Sequence, residues 1–281
     1  MAAGTRRVGA SLGLAPFLLY VGIFLVTPTV VVFIHAFQTN DTPAQFTLDA
    51  IKQLKETSTL KISKDTMILS LTTALIGAVV GALVAYVVST GKKDALLRRF
   101  VTSVCGVLAQ FGGVALAFAF VATIGNTGVV TNWLNLSDTS WLFTLKGLTL
   151  VYSYFQIPLM VIVFLPALDG IRPQWREAAD NLGASTWQYW RHIGFPLLLP
   201  AFLGSALLLF ANAFATYATA RALVNQGSPI LSLKIGNSLG NEVTGSQGNL
   251  AASLALEMVV IVAVVMTLYA ILQRRTSRWL P

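Results

Sequence analysis

Six apolar runs, each long enough to cross a bilayer, dominate this sequence of 281 residues. A spanning helix needs about 20 apolar residues, because a rise of about 1.5 Å per residue must cover a hydrocarbon core about 30 Å thick. The runs lie at residues 12–37, 66–89, 101–124, 148–168, 197–220 and 250–272. They predict an all-α integral membrane protein with six transmembrane helices, and we interpret residues 1–281 as a single membrane domain.

The composition supports a membrane protein and argues against a nucleic-acid partner. Only 11% of the residues are charged, whereas a soluble domain averages about 25%. The net charge of +8 comes from residues that punctuate the apolar runs, and a nucleic-acid-binding protein would cluster them on one solvated face. The bilayer itself is therefore the expected surroundings of the chain.

The distribution of Lys and Arg predicts the orientation, because cytoplasmic loops carry an excess of both. With both termini in the cytoplasm, the inner segments hold most of the basic residues, namely Arg6, Arg7, Lys92, Lys93, Arg98, Arg99, Arg172, Arg176, Arg191, Arg274, Arg275 and Arg278. The apolar run after Arg7 is too long for a signal-peptide core, so we expect the first span to be retained. The sequence thus predicts a multi-pass protein with both ends cytoplasmic.

No catalytic or metal-binding constellation is present in the sequence. The single cysteine, Cys105, excludes an intramolecular disulfide, and His35 and His192 are expected on opposite sides of the membrane. Neither the G-x-S-x-G elbow nor the Walker pattern G-x-x-x-x-G-K-[ST] occurs. We expect no catalytic residue, no metal and no cofactor in this chain. If energy from ATP drives this protein, the nucleotide must bind to another polypeptide.

Polar side chains inside the spans are candidates for a substrate pathway. The candidates are Gln110, Gln156, Asn212, Tyr217 and Glu257. Amide and hydroxyl groups in spans more often hydrogen-bond between helices. A lone carboxylate is a functional candidate by default, and Glu257 can line a pathway or pair with Arg221. Both readings of Glu257 stay open from the sequence.

Small residues follow one another at one-turn spacing in the second span. Gly77, Gly81 and Ala85 lie four residues apart, which lets a neighbouring helix approach closely. Packing within the chain is the favoured interpretation of this stripe, ahead of a dimer contact.

A polar, aromatic-rich segment between the fourth and fifth apolar runs, residues 172–196, is here called the polar island. It fills most of the connecting loop, which we place at about residues 169–196. Pro173 suits a first helical turn, and Glu177 is expected near the positive end of the helix dipole. Gly183 suits the residue after a helix C-terminus, where positive φ costs glycine little. The pattern predicts a helix followed by a glycine turn.

A second short helix is expected directly after that turn. Ser185 and Gln188 have the S-x-x-Q spacing of a capping box. Pro196 is expected to end this helix before the next apolar run.

The polar island resembles the "EAA" signature of the permease subunits of binding-protein-dependent type I ABC importers. The family pattern is EAA-x3-G-x9-I-x-L-P, and this chain matches it with Glu177, Ala178, Ala179, Gly183, Ile193 and Pro196. Phe195 replaces the leucine, which preserves an apolar side chain. The motif covers 20 residues, from Glu177 to Pro196, and the family's six-span core would cover nearly the whole chain.

The resemblance implies the type I importer permease fold, with a cytoplasmic coupling helix that docks in a groove of an ATPase subunit. The ATPase-coupling residues would be the six signature residues with Arg176 and Trp187, since aromatic and Arg side chains are favoured at interface hot spots. The chain would not be an enzyme, because ATP and magnesium would bind the partner ATPase.

The resemblance also implies partners and a location. An ABC ATPase dimer, a second, non-identical permease and an extracytoplasmic solute-binding protein would assemble with this chain in a bacterial cytoplasmic (inner) membrane. The second permease is expected because the chain is shorter than double-length permeases. Residues 211–220 and 230–235 resemble the spermidine/putrescine branch, so a polyamine or related small ion is the expected cargo.

Three alternatives remain beside this reading. A sugar-importer permease of the same family is the runner-up. An ion-coupled carrier or channel without an ATPase is motivated by Glu257, and a membrane enzyme ranks last because only scattered polar groups support it.

Overall fold

The computed structural model describes residues 14, 16–39, 45–91, 96–135, 138–224, 229–240 and 248–276, with side chains described up to Ile271. Apart from an isolated bridge between Gln38 and Phe46, the regular structure of these residues is helical. Six of the described helices are long and apolar enough to cross a membrane. The predicted all-α membrane fold is confirmed. Residues Arg6, Arg7, Lys92, Lys93 and Arg278, used to predict orientation, lie outside the described part.

The helices are numbered here in chain order. Their bounds are α1 Pro16–His35, α2 Asp49–Leu54, α3 Thr57–Thr90, α4 Leu96–Gln110, α5 Gly113–Ile124, α6 Val129–Trp133, α7 Leu145–Asp169, α8 Pro173–Asn181, α9 Thr186–Ala215, α10 Ala218–Leu223, α11 Leu231–Gly240 and α12 Gly248–Thr276. A 3₁₀ turn, Ser140–Phe143, precedes α7.

The chain divides into two compact units. The first contains Met1–Lys61 and Lys234–Val260, and the second contains Ile62–Leu233 and Ile261–Pro281. Within the first unit, the Ser253 hydroxyl donates to the Ala36 carbonyl at 3.2 Å, which joins α12 to the end of α1. The single permease domain inferred for residues 1–281 stays a prediction.

The second unit is built on the close approach of α3 to α7. A Cβ added to Gly77 would lie 2.8 Å from Gln156 Cβ, and one added to Gly81 would lie 2.5 Å from Met160 Cβ. Ala85 on the same stripe is fully buried. The small residues of the second span therefore pack within the chain, as predicted.

The helix predicted over residues 101–124 is interrupted. α4 ends at Gln110, α5 begins at Gly113, and Gly113 has φ +69°. A left-handed backbone costs a residue with a side chain about 1 kcal/mol or more, so glycine belongs at this position. Hydropathy alone does not reveal the interruption, because Phe111, Gly112 and Gly113 do not break the apolar run.

The fifth predicted span, residues 197–220, also differs from the structure. Helix α9 begins earlier, at Thr186, and ends at Ala215, after which Thr216 is extended. The Thr216 carbonyl accepts hydrogen bonds from Tyr152 Oη at 3.1 Å and from Ser232 Oγ at 3.0 Å. Since a carbonyl freed at a helix end needs a donor in an apolar medium, these hydroxyls stabilise the break.

We predict that Gly81→Ala destabilises the protein, whereas Gly106→Ala does not. An added methyl at position 81 collides with Met160 and with the Ile157 carbonyl, while nothing lies within 4 Å of a Cβ at position 106 of α4. Overpacking costs about 1–3 kcal/mol, so a melting temperature several degrees below wild type is expected for Gly81→Ala. The check is thermal unfolding of the purified proteins in detergent. Equal melting temperatures for the two variants would contradict the close approach.

Candidate functional site

The first half of the polar island forms the short helix α8 and a tight turn. Pro173 occupies the first helical position, as predicted. Gly183 has φ +75°, its N–H donates to the Asp180 carbonyl, and the Ala184 N–H donates to the Ala179 carbonyl. This pair of bonds is the Schellman arrangement that ends a helix at glycine. The predicted glycine turn is confirmed.

Glu177 lies outside the first turn of α8. No acidic residue occupies that turn, because the helix begins at Pro173 and Glu177 is its fifth residue. The field of a helix end decays within one turn, so the expected dipole stabilisation of Glu177 is wrong. The Glu177 side chain is exposed and therefore accessible to a partner.

The second half of the polar island begins with the predicted capping box. The Ser185 N–H donates to Gln188 Oε1 at 2.7 Å, and the Gln188 N–H donates to Ser185 Oγ at 3.3 Å. Both bonds satisfy donors that the first helical turn leaves unpaired. The capping box fixes the start of α9.

Pro196 does not end this helix, contrary to the sequence prediction. Helix α9 continues through Pro196, after a π-helical turn at Trp190–Gly194 in which the Phe195 N–H donates to the Trp190 carbonyl. The wider turn changes the hydrogen-bond register, so that a residue without an N–H is accommodated at position 196. The polar island is thereby joined to the fifth span by continuous helix.

Five large apolar side chains of the polar island are exposed, and Leu182 and Trp187 are the two most exposed of them. Leu182, beside the glycine turn, is 87% exposed, and Trp187, in the first turn of α9, is 71% exposed. Trp187 is one of the ATPase-coupling residues named from the sequence, and that role stays a prediction. Leu182 was missed, although an apolar residue next to a helix-ending glycine in a polar segment is a recognisable signal.

The remaining aromatic residues of the island differ in their exposure. Tyr189 is buried, and Trp190 packs edge-on against Tyr86 of α3 with ring centroids 5.4 Å apart. The Arg176 guanidinium lies 5.5 Å from the Tyr189 ring centroid. Tyr189 and Trp190 therefore stabilise the island against the chain's own helices.

The other signature residues take varied positions. Ala178, Ile193 and Pro196 are exposed like Glu177, whereas Ala179 is buried on the opposite face of α8. The island thus presents an accessible face around Glu177 and a packed face around Ala179.

An ion pair joins the start of α4 to the end of α7, just before the polar island. The Arg98 guanidinium binds the Asp169 carboxylate, and their side chains are 12% and 28% exposed. Arg98 Nη1 is buried without another hydrogen-bond partner among the described residues. Sequence reasoning missed this pair, because the two residues are separated by 71 positions.

Four of the five pathway candidates, Gln110, Gln156, Asn212 and Tyr217, lie in the second unit. Gln156 is fully buried and donates to Thr73 Oγ1 at 2.9 Å, so it joins α7 to α3. Gln110 and Tyr217 lie next to the two helix breaks, which adjoin: a Cβ on Gly113 would lie 3.8 Å from Ala218 Cβ. Asn212 lies half-buried one turn before the second break.

Glu257 lies in the first unit, and Arg221 lies in the second. One carboxylate oxygen of Glu257 is buried and has no hydrogen-bond partner within the described ranges. Its pairing with Arg221 stays a prediction. Those ranges also contain no group of three or more His, Cys, Asp or Glu residues that could hold a metal ion.

Comparison with known proteins identifies sequence relatives. The model of the family described as binding-protein-dependent transport system inner membrane component matches residues 76–278. The ferric transport system permease of Actinobacillus pleuropneumoniae is 25% identical over 217 residues, covering 75% of this chain and 30% of that protein. The CysW sulfate transport system permease of Synechocystis sp. is 23% identical over 260 residues, covering 92% and 91%.

The fold also has a close counterpart among solved structures. A bacterial ABC transporter involved in import of the acidic polysaccharide alginate matches with TM-score 0.77 and 20% identity, covering 96% of both chains. A second structure of the alginate transporter, in complex with a periplasmic protein, matches with TM-score 0.76 and 21% identity, covering 96% of both chains. At these identities the likeness shows the fold alone. The chain spans about a third of the length of the ferric permeases it matches.

We predict that Asp169→Asn destabilises the protein more than Asp180→Asn does. The first change leaves the mostly buried Arg98 guanidinium unpaired, at a cost of about 1–3 kcal/mol after allowance for the exposed edge of the pair. Asp180 is half-exposed and 3.9 Å from Arg176, a surface geometry worth less than about 1 kcal/mol. Thermal melting of both variants provides the test. A double variant Arg98→Gln/Asp169→Asn should recover part of the loss, and equal melting of the two single variants would refute the ion pair.

Proposed function

Because this chain belongs to the family of binding-protein-dependent transport system inner membrane components, and is thus the permease component of an ABC importer, we propose that the polar island is its ATPase-coupling surface. Members of this family are non-catalytic membrane subunits. ATP and magnesium would bind the separate ATPase, and this chain would convert the closure of that ATPase into movement of its own helices.

The continuity of α9 is the observation that carries this proposal. Trp187 is exposed in the first turn of α9, and the same helix extends through the π-helical turn to Ala215. A push on Trp187 is therefore transmitted along a hydrogen-bonded helix into the membrane, with no flexible loop to absorb it. Leu182 and Trp187 supply the exposed apolar area that a partner groove can bury.

The signature residues have distinct proposed roles. Glu177, exposed on α8, would pair with a basic residue of the ATPase, and Ala178 would permit close approach of that partner. Gly183 sets the angle between α8 and α9 through its positive φ. Arg176 lies between Asp180 and the Tyr189 ring, which holds α8 against the base of α9.

Ile193 and Pro196 have a different proposed role, at the base of α9. Both are exposed at or just beyond the π-helical turn, where motion of the island enters the span. They would set the register in which α9 follows that motion.

The proposed assembly has an ATPase dimer, a second and non-identical permease, and an extracytoplasmic solute-binding protein. The alginate transporter structure that contains a periplasmic protein supports the last of these. Both termini of this chain would lie in the cytoplasm, so that the polar island faces the ATPase.

The competing proposal from another class is an ion-coupled carrier, which the buried Glu257 oxygen favours because it has no hydrogen-bond partner among the described residues. A carrier would work without an ATPase. Purification of the chain from its native membrane separates the two, because a stoichiometric Walker-containing subunit is expected only for the importer.

For the cargo we propose a small charged solute. The named relatives include ferric and sulfate permeases, and none of the relatives reported above is named for a polyamine. A polyamine cargo is supported only by Glu257 and by the resemblance of residues 211–220 and 230–235 to the spermidine/putrescine branch. A sugar cargo remains the runner-up.

The cargo prediction is tested on the solute-binding protein that we expect to be encoded beside this chain. We expect sulfate, ferric ion or a polyamine to raise its melting temperature by several degrees, because a ligand at about 100 times its Kd stabilises by about 2.7 kcal/mol. The measurement is a thermal-shift panel with those ions and a set of neutral sugars. A response restricted to sugars would refute the charged-solute proposal and favour the runner-up.

The coupling role predicts a specific defect for Glu177→Ala. Loss of one partner of an interfacial charge pair costs about 2 kcal/mol or more, so we expect uptake to fall about tenfold or more. Gln174→Ala is the matched control, since Gln174 is exposed on the same helix but lies outside the signature. Uptake and ATPase stimulation are measured in reconstituted vesicles at equal amounts of inserted protein. Wild-type uptake by Glu177→Ala would contradict the proposed role of Glu177 in pairing with the ATPase.

A further inference from the structure

A basic pocket lies where the polar island meets the ends of the spans. Its volume is about 260 Å³, and it is bounded by the end of α3, the end of α7 and the first turn of α8. Arg172 and Arg176 supply its charge, and Tyr86 and Trp190 form its inner wall. No acidic residue lines it within the described part of the chain. The pocket is therefore an environment for an anion.

Arg172 is the residue that the coupling proposal leaves unused. Its guanidinium forms no ion pair with a carboxylate among the described residues. Arg176 is only loosely neutralised, because Asp180 lies 3.9 Å away on an exposed edge. Two guanidinium groups with spare donors can bind a phosphate through several parallel hydrogen bonds.

An apolar groove adjoins this pocket on the side of the spans. It has a volume of about 340 Å³ and runs between α3, α7 and α9. Tyr86, Leu168 and Trp190 line both the pocket and the groove, so the two cavities share a wall. Beyond that wall the groove is bordered by Ala82 and Phe164 among other apolar residues, and no charged side chain from the described ranges lines it.

We propose that the pocket and the groove together bind one anionic phospholipid. The phosphate would lie between Arg172 and Arg176, and one acyl chain would follow the groove past Ala82. Tyr86 and Trp190 lie at the junction, which is the depth where amphipathic aromatic rings are favoured in membranes. Basic pockets between transmembrane helices are known to suit anionic head groups, at about 1 kcal/mol for each basic residue.

The combination of the two cavities selects this occupant. A free phosphate would use the basic pocket but leave the groove unfilled, and a neutral lipid would use the groove but leave Arg172 without a counter-charge. Only a molecule with an anionic head and an apolar chain matches both. A bound lipid would join α8 to the ends of α3 and α7, so the lipid composition would tune the coupling movement. This lipid would belong to the cytoplasmic leaflet, an assignment that rests on the proposed function because that function places the polar island in the cytoplasm.

The test is native mass spectrometry of the purified full-length chain, titrated with phosphatidylglycerol or with phosphatidylcholine of the same acyl chains. Wild type is expected to bind the first phosphatidylglycerol at least fivefold more tightly. Arg172→Gln should remove about fivefold of that affinity, the equivalent of about 1 kcal/mol. Arg191→Gln is the matched control, because Arg191 is an exposed arginine of the island that does not line the pocket.

Two further arms identify the source of the anion and keep the proposal open to refutation. Ala82→Phe fills the groove, so it should weaken the binding of phosphatidylglycerol and of phosphatidylcholine to the same extent. Glycerol 3-phosphate, which has the head-group charge and no chain, should not displace phosphatidylglycerol. Displacement by it would assign the pocket to a soluble anion and overturn the lipid site, as would equal affinities for Arg172→Gln and Arg191→Gln.

The lipid measurement is independent of transport. If wild type shows no preference for phosphatidylglycerol while Glu177→Ala still uncouples uptake, only the lipid site is refuted. If the preference is observed while Glu177→Ala transports normally, the coupling role is refuted and the lipid site is supported.

Discussion

The need to satisfy every backbone hydrogen bond in an apolar medium governs this protein. Continuous helices meet that need internally, which is why long apolar runs become α1, α3, α7, α9 and α12. Where a helix is interrupted, the chain supplies a compensating group. The carbonyl of Thr216 receives two hydroxyl donors, from Tyr152 and Ser232, and Gly113 takes the left-handed backbone at the other break. The two breaks adjoin, so the interruption after α4 lies beside the one after α9.

A rigid connection between the polar island and the fifth span follows from the same requirement. The π-helical turn at Trp190–Gly194 keeps the backbone bonded across Pro196, where an ordinary α-helix would lose a bond. The Ser185 capping box and the Gly183 turn then hold α8 at a defined angle to this helix. Short elements of the island thereby behave as an extension of α9, which suits a surface that transmits force.

Charged groups at the ends of the spans hold the island in position. Arg98 binds Asp169 at the junction of α4 and α7, so the helix end that precedes the island is fixed by a mostly buried ion pair. Arg176 packs on the Tyr189 ring at the base of α9. Arg172 remains available to a ligand, and the adjoining apolar groove makes an anionic lipid the matching occupant. Protein and membrane would then both contribute to the stiffness of the junction.

The sequence by itself determined the elements whose physics is local. Apolar runs predicted the spans, Ser185 and Gln188 predicted their capping box, and the spacing from Glu177 to Pro196 predicted the coupling surface that is proposed here. Tertiary structure decided the rest, because it depends on contacts between distant residues or on the backbone register. Examples are the Arg98–Asp169 pair, the burial of Gln156 against Thr73, and the π-helical turn that carries α9 through Pro196. Hydropathy indicates only whether a segment prefers the bilayer, so it does not identify the helix that a side chain contacts within the bilayer.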